Sequence, residues 1–87
     1  MRILYFAWLR ERVGTGEETV DPPAEIATVA GLIAWLAQRS PGHASAFAPT
    51  ADGRSLVRCA VNQDFARPET PVGPNDEVAF FPPVTGG

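Results

Sequence analysis

Asp76-Glu77-Val78-Ala79-Phe80-Phe81-Pro82-Pro83-Val84-Thr85-Gly86-Gly87 closes the chain. Glu77 to Phe81 is β-branched and aromatic, the composition of a strand. Pro82 and Pro83 lack an N–H and have a fixed φ, so they stop the strand and favour an extended exit. The reading divides the chain into a domain over 1–82 and an extended tail over 83–87. That tail reaches roughly 15–18 Å beyond the sheet. The terminal glycines let a narrow channel admit the backbone and leave the last carbonyl carbon uncrowded. The tail is therefore expected to carry its own terminal carboxyl group, on Gly87, into another protein's active site. Gly86, Thr85 and Val84 lead up to it.

Outward from this block, Arg2 to Phe6 is a second apolar strand, covered on both faces by its composition. Ala7 to Val13 reads as a short helix, with Leu9 and Val13 sharing a face and Gly14 as a left-handed end. Glu17 to Asp21 is a more polar strand, stopped by Pro22-Pro23. The main helix runs from Thr28, its N-cap, to Ser40. Val29, Leu32, Ile33 and Leu36 form its apolar stripe, and Pro41-Gly42 ends it. Gly31 inside it calls for a close helix–sheet approach. His43 to Thr50 is a short helical turn, and Ala51 to Arg54 a turn. Leu56 to Asn62 alternates as a half-buried strand, Phe65 to Arg67 is a brief edge strand, and Pro68 to Asp76 is loop. The fold class is α+β: a mixed sheet with one main helix covering one face.

Eighty-seven residues make one domain with a modest core. The net charge of −3 speaks against a nucleic-acid partner, which needs a basic surface. All seven cationic residues are Arg, so the chain holds no lysine amine to attack an activated carboxyl. One Cys allows no internal disulfide and no apolar run has the length of a membrane span, so a cytoplasmic protein without membrane attachment is expected.

Side-chain chemistry is sparse. His43, the only His, reads as a surface residue, and Cys59 as a buried, inert thiol. Glu17-Glu18 and Asp76-Glu77 read as solvated. No metal-ligand spacing is present. The terminal carboxyl remains. Its pKa of about 3.3–3.7 leaves it ionised and a poor electrophile, so it needs activation, most simply by adenylation in an ATP-using partner. Alternation also puts Leu4 and Phe6, with Ala79 and Phe81, on the sheet face away from the helix. Phe65 joins them. A single helix cannot cover both faces, so Leu4, Phe6, Phe65 and Phe81 form an exposed apolar patch at the root of the tail, which marks an interface.

The block 76–87 resembles the family of molybdopterin synthase small subunits. So do Ile3-Leu4-Tyr5-Phe6-Ala7 with Leu9-Arg10-Glu11 and Val13-Gly14, and Ala60-Val61-Asn62-Gln63. The likeness covers nearly the whole chain and is weakest from Gly42 to Ser55. It implies a ubiquitin-like β-grasp fold of about five strands. It implies that a ubiquitin-activating-like adenylyltransferase uses ATP to adenylate Gly87, and that a sulfur relay converts the terminus to a thiocarboxylate. The tail then enters the large subunit of the synthase, a heterotetramer of two small and two large subunits. There it gives sulfur to cyclic pyranopterin monophosphate in molybdenum cofactor biosynthesis. The resemblance makes the chain the non-catalytic, sulfur-donating subunit of a sulfurtransferase, with no bound cofactor. It matches Phe6, Phe65 and Phe81 to the family's interface positions. Arg12 stands where the family often has an apolar residue, so the first helix is expected to pack differently. A carrier for thiamine or another thiolated product shares the fold and Gly-Gly but generally not Phe-Phe-Pro-Pro-Val-Thr. A lysine-conjugating modifier and a plain binding module are the other readings.

Overall fold

The computed structural model describes residues 1–48 and 57–83. The turn expected at Ala51–Arg54 and the tail residues Val84, Thr85, Gly86 and Gly87 lie outside them. Five strands and three helices occur among the described residues: β1 (Arg2–Tyr5), α1 (Trp8–Val13), β2 (Glu17–Thr19), α2 (Val29–Ala37), α3 (Pro41–Phe47), β3 (Arg58–Val61), β4 (Asp64–Ala66) and β5 (Glu77–Phe81). The sheet order is β2-β1-β5-β3-β4. The central pair β1 and β5 is parallel, with Leu4 opposite Ala79 and Tyr5 opposite Phe80. The other pairings are antiparallel. The first and last strands are thus neighbours at the middle of the sheet, and Pro82 and Pro83 follow β5 at its centre. The architecture is the mixed α+β sheet expected.

One face of the sheet is covered by the helices. Ile3 and Tyr5 of β1, Val78 and Phe80 of β5, and Leu9, Leu32 and Leu36 are all fully or almost fully buried. Rings fill the centre, with Phe47 edge-on to Phe80 at 4.9 Å between centroids and Tyr5 stacked on Phe80 at 6.2 Å. Residues of this size contribute roughly 1.5–3 kcal/mol each on burial. Thr28 caps α2 as expected, its Oγ1 accepting the Gly31 N–H at 3.2 Å. Two further N–H groups of that first turn donate to loop carbonyls, Val29 to Thr70 and Ala30 to Pro68. Gly14 takes the left-handed conformation at φ 97° and ends α1.

Several expectations are corrected. The short helix expected at Ala7–Val13 stands as α1, but the helical turn expected from His43 is a full third helix that begins at Pro41. The main helix stops at Ala37, and Pro41 opens a new helix instead of ending the old one. Pro41 sits in the first turn of α3, where a missing N–H costs nothing, and Ser40 caps it. Gly31 is not a point of close approach: a Cβ there would meet only ordinary contacts. The close approach falls at Gly42, whose Cβ would run into the Arg12 carbonyl oxygen. Arg12 packs with its guanidinium 4.7 Å from the centre of the Trp8 ring and donates to the Ser45 carbonyl. β3 turns into β4 through Asn62 and Gln63, both at positive φ (51° and 72°), the conformation of a two-residue hairpin turn.

Candidate functional site

The open face of the sheet is built by the register. Glu17, Leu4, Ala79, Ala60 and Phe65 form one row across all five strands. Two residues toward the exit of β5, Phe81 stands opposite Arg58, and the Phe6 N–H donates to the Phe80 carbonyl at 3.1 Å. Ala79 and Ala60 are small, so the middle of the row is a shallow apolar trough. Phe65 stands at its edge, 86% exposed, with its ring 6.1 Å from that of Phe81. Phe6 is half exposed, and Leu4 and Phe81 are half-buried. The structure therefore brings all four predicted patch residues onto one face.

Charge frames the trough. Arg2 donates to Glu17 at 2.8 Å and to Glu77 at 3.3 Å at the far end from the tail, and exposed Arg58 stands at the near end. An apolar centre with an aromatic anchor and a polar rim is the anatomy of a protein-docking surface. Pro82 and Pro83, half-buried at the end of β5, form the root of the tail beside it.

A polar cluster lies on the other side of the sheet, and residue-by-residue reading missed it. Expected at the surface, His43 is only 7% exposed. Glu18, expected to be solvated, faces inward because its partner in the register is core residue Ile3. The Tyr5 hydroxyl donates to Glu18 Oε2 at 2.7 Å, and His43 Nε2 lies 2.7 Å from the same oxygen. Arg39 reaches Oε1 at 3.4 Å. His43 Nδ1 is 2.7 Å from Ser40 Oγ, which also accepts the His43 backbone N–H. An ionised carboxylate cannot donate, so Nε2 carries a proton.

Burial pushes the Glu18 carboxyl up, but the hydrogen bonds of His43 and Tyr5 and the charges of His43 and Arg39 outweigh it and hold it below the usual range. Burial first, then Glu18, pushes the Tyr5 hydroxyl up. Ser40, His43 and Glu18 have the residue types of an acyl-transfer relay. The bonds here serve packing instead: Ser40 caps α3, and Glu18 joins β2 to β1, to α3 and to the end of α2. The signal was present in the sequence. Glu18 alternates with inward Val20, so it needed a buried partner.

Cys59 is buried as expected, and burial pushes its thiol up. Among the described residues no three of His, Cys, Asp and Glu gather to hold a metal ion. No helix among them is long and apolar enough to cross a membrane.

The model of the ThiS family matches residues 3–87. The chain belongs to that family. Its curated relatives include the molybdopterin synthase sulfur carrier subunit of Escherichia coli (strain K12). That protein is 41% identical over 87 residues, which cover all of this chain and 99% of the relative. The subunit of that name from Homo sapiens is 33% identical, with 100% and 93% covered. Among solved structures, small archaeal modifier protein 1 of H. volcanii superposes with a TM-score of 0.80 at 29% identity, covering 97% of each chain. A putative molybdopterin converting factor, subunit 1, from Pyrococcus furiosus superposes at 0.74 with 31% identity, covering 95% of each. The fold of this ThiS-family chain is the ubiquitin-like β-grasp, and its open face is the side of that sheet on which no helix lies among the described residues.

Proposed function

We propose that this chain is the sulfur-carrier subunit of a molybdopterin synthase. The observation that carries the reading is full-length identity of 41% to a relative so named, ending in the tail that leaves the sheet beside the Phe6, Phe65 and Phe81 face. The chemistry follows from the terminus. The Gly87 carboxylate attacks the α-phosphorus of ATP in an activating adenylyltransferase, and pyrophosphate leaves. A sulfur nucleophile then displaces AMP, and the resulting thiocarboxylate gives its sulfur to cyclic pyranopterin monophosphate. ATP belongs to the activating enzyme, and this chain supplies the docking face and the tail. The large subunit seats on Leu4, Phe6, Phe65 and Phe81 while the tail enters its active site, in a heterotetramer.

Intact mass after incubation with an activating enzyme, ATP and a sulfur source tests this. The expected result is a gain of about 16 Da at the terminal carboxyl, oxygen exchanged for sulfur. A terminus that stays an ordinary carboxylate under those conditions removes the reading.

A second reading has its own support. The likeness to small archaeal modifier protein 1 favours conjugation of the same activated terminus to protein lysines. A ladder of conjugates in cells that vanishes when Gly87 is deleted is its mark.

A further inference from the structure

An activated carrier has a chemical problem of its own. Its acyl group can be captured by any nucleophile on the same chain or on a second copy. Capture forms a bond from that nucleophile to the Gly87 carbonyl carbon, breaks the bond to sulfur or phosphate, expels the thiol or AMP and releases a proton to water. Resting on the reading above, we infer that this domain is closed to such capture: every strong nucleophile is either missing from it or locked away from its own tail.

The sequence removes the commonest acceptor. All seven cations are Arg, and a guanidinium stays protonated and does not attack. The fold removes the others. Cys59 pairs with Phe80, one residue before the end of β5, so it is close to the root of the tail. Its side chain faces the helices and is 7% exposed, and burial keeps its thiol protonated, whereas the thiolate is the nucleophile. Both ring nitrogens of His43 are engaged, with Ser40 and Glu18, and the Tyr5 hydroxyl is spent on Glu18.

The Met1 ammonium donates to the Val20 carbonyl at 3.0 Å and is partly buried. Topology also sets it apart. Because β1 and β5 run parallel, Arg2 lies opposite Glu77, and the Met1 end of the sheet is the end the tail leaves behind. Pro83 stands six strand steps beyond Glu77, roughly 20 Å away. Residues 84–87 span at most about 14 Å, so the terminus cannot return to that amine. The parallel central pair thus keeps the terminus from its own Met1 amine, and the chain offers no lysine on which a second carrier could be joined.

The test uses the full chain with Gly87 as an alkyl thioester, made by intein cleavage with a small thiol. Because the thioester is installed chemically, the result is independent of any activating enzyme. Failure of the sulfur-carrier reading is seen separately, in the absence of a mass gain. The native chain, Arg58→Lys and Arg67→Lys are held concentrated in mildly alkaline buffer, with Nα-acetyl-lysine as an external benchmark. Arg58 is exposed opposite Phe81, so its lysine variant puts an amine at the tail root.

Intact mass and peptide mapping are expected to show hydrolysis alone for the native chain. Lactams or amide-linked dimers are expected from the lysine variants, at least about tenfold faster than any native adduct, as expected when a strong nucleophile is restored. Native adducts at a comparable rate overturn the inference, whether on Met1, on Cys59 or as an ester on Ser40, the hydroxyl with an imidazole against it. It is equally overturned if acetyl-lysine reacts while both lysine variants stay as inert as the native chain, because the missing lysines would then decide nothing.

Discussion

The two faces of the sheet are made of the same kinds of residue and serve opposite purposes. Inward, Ile3, Tyr5, Cys59, Val78 and Phe80 are buried under three helices. Outward, Leu4, Ala60, Ala79 and Phe81 alternate with them on the same strands, Phe6 follows β1 and Phe65 stands on β4, and Phe65 is 86% exposed where Phe80 is 0% exposed. Composition alone does not separate a core from an interface. What separates them, among the described residues, is a layer of helices on one side and a rim of charge on the other, and that asymmetry leaves an apolar surface of the kind that marks an interface.

Deleting Gly87 should abolish thiolation altogether while the thermal midpoint stays unchanged. Mass spectrometry of the activated terminus and a melting curve check both halves, and an equal loss of stability would mean that the tail belongs to the globule. Next come the paired phenylalanines. Phe80→Ala should destabilise the domain by about 3–5 kcal/mol in urea unfolding, because it empties the centre of the ring cluster. Phe65→Ala should change stability by no more than about 0.5 kcal/mol. Its binding to the large subunit should weaken by about 2 kcal/mol or more, read by calorimetry. Equal effects of the two changes on stability would erase the distinction between the faces.

A smaller effect is expected from the polar cluster of the covered face. Glu18 holds its proton less tightly when folded than when unfolded. Its contribution to stability is therefore fully present above the unfolded carboxyl range, near about 4.3, and is lost as pH falls through the lower folded value. Urea midpoints measured from neutral to acidic pH should fall less steeply for Glu18→Gln than for the native chain. Identical slopes would show that the cluster carries no proton linkage. The smallest change concerns Ala7, which joins β1 to α1 at φ 55° and ψ −133°, a conformation suited to glycine. Ala7→Gly should gain about 0.5–1 kcal/mol, the relieved strain less the added freedom of the unfolded chain.

Legibility followed the range of each interaction. Thr28, Gly14, the stripe of α2 and the strand alternation are local signals, and each stands where the sequence placed it. The patch of Leu4, Phe6, Phe65 and Phe81 was readable because period-two alternation assigns faces once one face is known. Pro41 is ambiguous in sequence because the same residue that cannot continue one helix is well suited to begin another. His43 and Glu18 were misjudged because their partner atoms lie 25 residues apart in sequence. Only the folded chain shows that each buried polar group has the other.

By itself the sequence determined which residues can be strands and helices, that no lysine is present, and that a stiff Pro-Pro step precedes the closing glycines. Those are properties of side chains and local torsions. The tertiary structure sets β1 and β5 side by side and parallel, and this one pairing carries Pro82 and Pro83 away from the Met1 amine and places Phe6 next to the end of β5. It also sets which of two similar apolar faces the helices cover. Both outcomes depend on how distant segments meet, and no window of sequence holds that information.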